Sequence, residues 1–440
     1  MSKISNKMKT LFCCSLVLLV SYFTYFHHYD KPSKAFYDEY YYITHAERYL
    51  HGIVFFDVNP PLGKMFIALG EKLFNPNKNI NIKEPTESTL LYLDSNNAFS
   101  YAGVRFFPVL FGFFNGLLVF LIFYGLSKNH FLSLMFSSLY LFENSSIVHF
   151  RGALLDSTLI FFSFLTILYF IYLYEEKKEK TLINYFVLGC LTSLAGSTKM
   201  VGLILILLFV FLFFKELREH KHDRIINKIN KFLKRSMSYL FGLCVVFFIV
   251  FYVNVILSST ILDNDIKGND IGLMMKTKSL IGLKIPSEDY IRMVRNKEIY
   301  NPLKIFIPMR DYFNLIKASQ LFLPKFGVDE TKLGSRPITS LYIAYMIAVI
   351  FIATQRILFM NTYLLPLFFS FILFFLMFNY VFEKNIMKKD KILYISIFLL
   401  IAQIFYVYSY TSAVTYGKYI NYLECRKTRL VGFWEDLCHR

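Results

Sequence analysis

The sequence predicts an all-α polytopic membrane protein, and three observations carry that prediction. Of its 440 residues, 55% are hydrophobic and only 18% charged, whereas a soluble globular chain carries roughly 25% charged residues. Mean hydropathy is +0.45. Apolar runs recur near 10–28, 101–126, 152–174, 183–198, 200–214, 237–257, 358–383 and 392–410, with a shorter one at 130–142; a membrane-spanning helix needs about 20 such residues. Together these exclude a soluble enzyme, a disordered chain and a disulfide scaffold, and they predict about 9–11 spans in one integral-membrane domain, 1–440.

The net charge of +17 reads as topology and not as a nucleic-acid footprint, because Lys and Arg cluster in short loops between the apolar runs. The first run follows Lys3, Lys7 and Lys9 without a small-residue cleavage site, which predicts an uncleaved signal anchor with a cytoplasmic N-terminus. Counting sides from there places the basic stretch Lys215 to Arg235 in the cytoplasm. The loop near 383–391 joins it if the apolar stretch 338–354 is luminal or re-entrant. Two large luminal loops remain, 29–99 and 258–337. The six cysteines show no CxxC and no metal spacing.

The unusual polar residues fall on that luminal side. Asp38-Glu39 opens the first loop, and a helical reading puts Asp38, Tyr42, His45 and Tyr49 on one face, with Glu39 about 100° away. Either this helix presents an acid to a substrate, or it lies at the headgroup level with its tyrosines in the interface. Asp57-Val58-Asn59-Pro60-Pro61-Leu62-Gly63-Lys64 follows, where Asn59 is placed to N-cap a helix with Pro60 at its first position. Arg105, Arg151, Asp156 and Lys199 are charges at or near membrane depth, each a functional candidate because such placement is costly. Snorkelling of the arginines, or pairing of Arg151 with Asp156, is the structural alternative. Lys199, within Gly196-Ser197-Thr198-Lys199-Met200-Val201-Gly202, has small neighbours on both sides, predicting room for a ligand. Clustered cations near a bilayer surface suit a lipid-linked phosphate.

In order and spacing these elements resemble the eukaryotic protein O-mannosyltransferases: Asp38-Glu39, then FFDVNPPLGKMFIALG at 55–70, Arg105, RGALLDS at 151–157, GSTKMVG at 196–202 and Ser335-Arg336-Pro337. Asn59 stands where that family has His, and Ile338 where Trp usually follows. The second loop is too short for the family's MIR domain. The resemblance implies a GT-C-type glycosyltransferase of the endoplasmic reticulum membrane. Its reaction would move mannose from dolichyl phosphate mannose to Ser or Thr hydroxyls of secretory proteins, with inversion, no metal and no nucleotide. Under it Asp38 is the general base, and Glu39 positions the acceptor or the helix. Arg105, Lys199, Arg151 and Arg336 hold the lipid phosphate, Asp156 orients Arg151, and Asp57, Asn59, Pro60, Pro61 and Lys64 support the motif. It further implies membrane lipid around the chain and a homo- or heterodimer with a sister mannosyltransferase. The alternatives are a lipid-linked-glycan mannosyltransferase of the same fold and a non-catalytic partner subunit of a heterodimer.

Overall fold

The computed structural model describes residues 2–261, apart from 81, 83–84, 97, 177–178 and 220–224, then 287–311, 364–383 and parts of 399–409. Arg336, the 338–354 stretch, Cys425 and Cys438 lie outside the described residues.

Helices dominate. The chain runs through α1 (Ser2–Ser21) with a π-helical continuation (Tyr22–Phe26), α2 (Glu39–Leu50), α3 (Leu62–Phe74), α4 (Glu87–Ser95) and α5 (Ala102–Ser127). It continues as α6 (His130–Leu141), α7 (Asn144–Phe150), α8 (Asp156–Glu175) and α9 (Leu182–Thr198), then a 3₁₀ segment (Met200–Leu205), α10 (Ile206–Glu219) and α11 (Ile225–Leu257). Beyond the gap come α12 (Glu288–Arg295) and α13 (Leu364–Glu383). Among the described residues five helices are long and apolar enough to cross a membrane, or up to six if α6 and α7 form one broken span. Leu182–Thr198 and Leu367–Leu376 are apolar but shorter. The expected runs therefore appear as helices wherever they are described.

The α6–α7 break has a local cause. The Glu143 carboxylate accepts the backbone N–H groups of Ser145 and Ser146, capping a new helix two residues after the old one ends. The two helices meet at 63°, which turns α7 back toward the bundle.

Inside the bundle, aromatic residues fill the space between helices. Tyr25, Phe120, Phe123, Phe136, Tyr140, Phe150 and Phe164 are all buried. Their polar ends are satisfied by helix carbonyls: Tyr25 donates to the Tyr140 carbonyl at 2.8 Å and Tyr140 to that of Gly112 at 2.7 Å. Between α9 and α11 the approach is limited by backbone itself. A Cβ at Gly189 would sit 2.1 Å from the Tyr239 carbonyl oxygen, and one at Gly242 would sit 2.2 Å from that of Phe186. Small residues permit this contact, as in other membrane helix pairs.

The first loop is not extended chain. Helices α2, α3 and α4 form a helical head on one end of the bundle. Its own cluster, including Tyr42, Ile43, Ala46, Ile67 and Ala68, joins Val104 of α5 and Ala153-Leu154-Leu155 before α8. A short parallel bridge, Ile53 with Thr260, ties this head to the end of α11. Residues of α12 pack on Val54 and Phe56 from the same side.

Candidate active site

Three sequence motifs converge where the head meets the bundle. At Gly63, in the first turn of α3, an added Cβ would come within 2.7 Å of the Leu155 side chain and 3.2 Å of Thr198. The Pro-Pro-Leu-Gly-Lys turn is thus wedged between the start of α8 and the end of α9. That contact brings Asp156 and Lys199 within electrostatic reach of Asp38.

Asp38 occupies the N-cap position of α2, yet its side chain accepts no bond from the first turn. An N-cap Asp normally contributes about 0.5–2 kcal/mol by doing so. Here Asp38 stays open to solvent while the surrounding protein partly encloses its carboxylate, and Tyr37 before it has a φ of 51°, which places a bulky residue in the left-handed region. Desolvation by the surrounding protein raises the Asp38 pKa, and the charge of Lys199 acts against that rise. Asp156, His149 and Asp57 are the other groups within electrostatic reach.

Glu39, one residue on, points the opposite way into the core. Its two oxygens accept four bonds: Arg105 Nε and Ala153 N–H on one, at 2.8 and 2.6 Å, and Arg105 Nη2 and Phe36 N–H on the other, at 2.8 and 3.0 Å. Neither Glu39 nor Arg105 exposes any side chain to solvent. Glu39 therefore orients its helix and has no surface left for an acceptor. Arg105 spends its remaining donors on the carbonyls of Asp30, Pro32 and Lys34. The expected phosphate contact of Arg105 is thus replaced by a structural one, because its donors are already engaged.

Arg151 behaves similarly. It is buried, and its guanidinium donates to the carbonyls of Tyr25, His27 and His28. Contrary to the expectation from sequence, Asp156 does not orient Arg151. Asp156 instead accepts Lys199 Nζ at 2.7 Å, with Lys199 partly exposed and Asp156 buried. Of the described cations assigned to phosphate, Lys199 is the one at the opening. Its glycines serve the chain turn and leave no ligand space: a Cβ at Gly202 would lie 2.5 Å from the Ala195 carbonyl carbon.

The Asp57 motif is a buried lock. Lys64 Nζ meets the Asp57 carboxylate at 2.5 Å and the Asn59 carbonyl at 2.7 Å, and Tyr41 donates to the other Asp57 oxygen at 3.0 Å. Burial pushes the Asp57 pKa up, but the adjacent Lys64 charge and hydrogen bond outweigh it and hold the carboxyl below its ordinary value. The expected capping by Asn59 does not occur. Helix α3 begins after Pro61 without a side-chain cap, and the Asn59 amide turns instead to the Tyr42 hydroxyl at 3.3 Å. Pro60 and Pro61 still fix the turn.

Helix α2 is buried along Tyr42–Tyr49, so it is no interfacial helix. His45 stacks on Phe55 with ring centres 4.3 Å apart, and burial pushes its pKa down to about 3, keeping it neutral. Tyr49 bonds Asn254 of α11 at 2.5 Å. Of the face drawn from the helical spacing, only Asp38 reaches the opening. His149 escaped the sequence reading. It reaches the site because α7 is turned inward, and a histidine inside an apolar run was the available signal.

The fold and site define a polytopic membrane protein in which a carboxylate, unpaired among the described residues, stands near a lysine–aspartate pair at one end of the bundle. The family described as dolichyl-phosphate-mannose-protein mannosyltransferase matches residues 15–259. The chain belongs to that family. It is similar to dolichyl-phosphate-mannose--protein mannosyltransferase 4 of Schizosaccharomyces pombe, with 31% identity over 157 residues, 36% of this chain and 19% of that one. It is also similar to protein O-mannosyl-transferase 2 of Drosophila melanogaster, with 27% identity over 198 residues, 44% of this chain and 25% of that one. The chain thus spans about a fifth to a quarter of the length of these curated relatives. Among solved structures it resembles a chain of the Saccharomyces cerevisiae protein O-mannosyltransferase Pmt1-Pmt2 complex bound to the sugar donor. There the TM-score is 0.48 and identity 21%, covering 58% of this chain and 35% of the other.

Proposed function

We propose that this chain transfers mannose from dolichyl phosphate mannose to Ser or Thr hydroxyls of secretory proteins, at the luminal face of the endoplasmic reticulum membrane. Membership of the family supports the reaction class, and one observation supports the site: an N-cap carboxylate that leaves its helix uncapped and faces Lys199. In the proposed step Asp38 takes the proton of the attacking hydroxyl as the new C1–O bond forms. The C1–phosphate bond breaks on the opposite face, inverting the anomeric carbon. The leaving dolichyl phosphate needs no proton, so one carboxylate suffices, unlike an inverting glycosidase. Lys199 is assigned to the departing phosphate oxygens, with Arg336 of the second loop as a further phosphate ligand. The energy resides in the sugar–phosphate bond, and the proposal calls on no metal and no nucleotide. A GT-C architecture and pairing with a sister mannosyltransferase, or with a second copy, are part of the same proposal.

The test is transfer of labelled mannose from dolichyl phosphate mannose to a Ser/Thr-rich peptide in membranes containing the chain, with Asp38→Asn alongside. Transfer that vanishes in the variant supports both reaction and base. Equal transfer by both removes Asp38 from the chemistry. Absence of transfer in the wild type, even with co-purified partners present, refutes the reaction.

A further inference from the structure

His149 is a buried imidazole beside the proposed site that the mechanism above does not use. It is 4% exposed, and among the described residues neither Nδ1 nor Nε2 has a hydrogen-bond partner. A buried polar group left so costs roughly 1–3 kcal/mol, and each such group in a native fold calls for a reason. Its ring stacks on Tyr37 with centres 5.1 Å apart and planes at 17°, against the strained residue that carries Asp38. The charged groups within electrostatic reach of it lie on several elements: Asp156 of α8, Lys199 at the end of α9, Glu143 at the start of its own helix, and Asp38 ahead of α2. Arg151, two residues on, is turned away to the carbonyls after α1.

That is three carboxylates against one ammonium. A phosphodiester entering beside them adds another negative charge, and the two buried arginines cannot answer it because their donors are engaged elsewhere. We propose that His149 takes up a proton from solvent when the anionic lipid phosphate enters and donates a hydrogen bond to its oxygen. This rests on the donor reading above. It makes His149 a donor-binding residue whose charge appears only in the complex, coupling donor affinity to pH. Charge-assisted bonds of this kind are about twice as strong as neutral ones.

The experiment is calorimetric binding of dolichyl phosphate mannose to the full chain in detergent, in two buffers of different ionisation enthalpy. This donor is a phosphodiester and does not itself titrate near neutral pH. The wild type is expected to take up a fraction of a proton at about pH 7 and to bind about tenfold more weakly at about pH 8.5 than at about pH 6. His149→Gln, which keeps a donor but cannot be charged, is expected to lose both effects. Asp38→Asn, which removes the solvent-open one of the three carboxylates there, is expected to keep them. Equal uptake in wild type and His149→Gln overturns the assignment. So does a wild-type affinity that is flat with pH, which requires no variant to fold. Failure of the wild type to bind the donor at any pH overturns the donor reading, and this assignment with it.

Discussion

Glu39→Gln is the sharpest test of how the head is held. The substitution keeps size and shape but removes the charge and replaces one oxygen by an NH₂ group. Whichever way the amide is turned, that NH₂ faces two donors, Arg105 with either Ala153 N–H or Phe36 N–H. The Arg105 guanidinium, wholly buried, loses its counter-charge. Removing one partner of a buried ion pair costs about 3–5 kcal/mol, a large part of the 5–15 kcal/mol that typically holds a domain. At roughly 1–2 °C per kcal/mol for a chain of 440 residues, the melting temperature in detergent should fall by roughly 3–10 °C. Arg105→Met should cost a similar amount, and the double variant should be less destabilised than the sum by about 1–3 kcal/mol. A Glu39→Gln protein melting within about 2 °C of wild type would show that this network does not carry the head. The neighbouring Asp38→Asn is the contrast: a desolvated carboxylate that caps nothing is lost, so the melting temperature should stay level or rise slightly.

Three further outcomes follow from the same geometry. Mannose transfer should fall about tenfold per pH unit on the acid side of the Asp38 pKa, and that limb should lie above the ordinary carboxylate range because desolvation raises it; a limb at or below the ordinary value in a pH–rate profile would exclude Asp38 as the base. Lys199→Met should raise the donor KM by about 10–100-fold, the worth of a hydrogen bond to a charged group, and an unchanged KM would move the phosphate elsewhere. Burial, with Glu71 nearby, pushes Glu47 up to about 7 from 4.5, so the folded protein binds that proton more tightly than the unfolded chain. The resulting stabilisation is complete below pH 4.5 and is lost as pH rises through about 7. Glu47→Gln should therefore stabilise the protein above neutrality by about 3 kcal/mol or less and bring no gain below about pH 4.5, which chemical denaturation at the two pH values measures.

Much of this was legible in the sequence because it is local. Run length and charge placement predict the spans, and the string from Asp57 to Lys64 stands out as one motif, although nothing in its spacing pairs the two charges. The short-range order of Asp38 and Glu39 already required the two acids to diverge. What sequence could not supply was long-range pairing. Glu39 and Arg105 are 66 positions apart, and no periodicity links them, so Arg105 was read as a ligand for phosphate. Arg151 was given to Asp156, five residues away, whereas its partners are carbonyls more than 120 positions back. The Lys199 glycines looked like an opening because composition records small size without recording what fills the space. Asn59 was a reasonable cap by residue type, but the helix starts beyond both prolines, and the side chain found a tyrosine instead.

The two buried arginines also decide what the first span is for. Arg151 grips the backbone at residues 25–28 and Arg105 grips it at 30, 32 and 34, so almost the whole connector from the end of the first helix to Asp38 is clamped at its carbonyls. Main-chain grips are indifferent to side chains: the connector's sequence can drift while its path stays fixed. A connector held this way transmits displacement in place of absorbing it. A vertical shift or rotation of the first helix in the bilayer would be handed to Asp38 a dozen residues later, so that lipid thickness bears on where that carboxylate sits. An anchor swapped for another of equal hydrophobicity but different length would still hold the chain in the membrane while displacing that carboxylate.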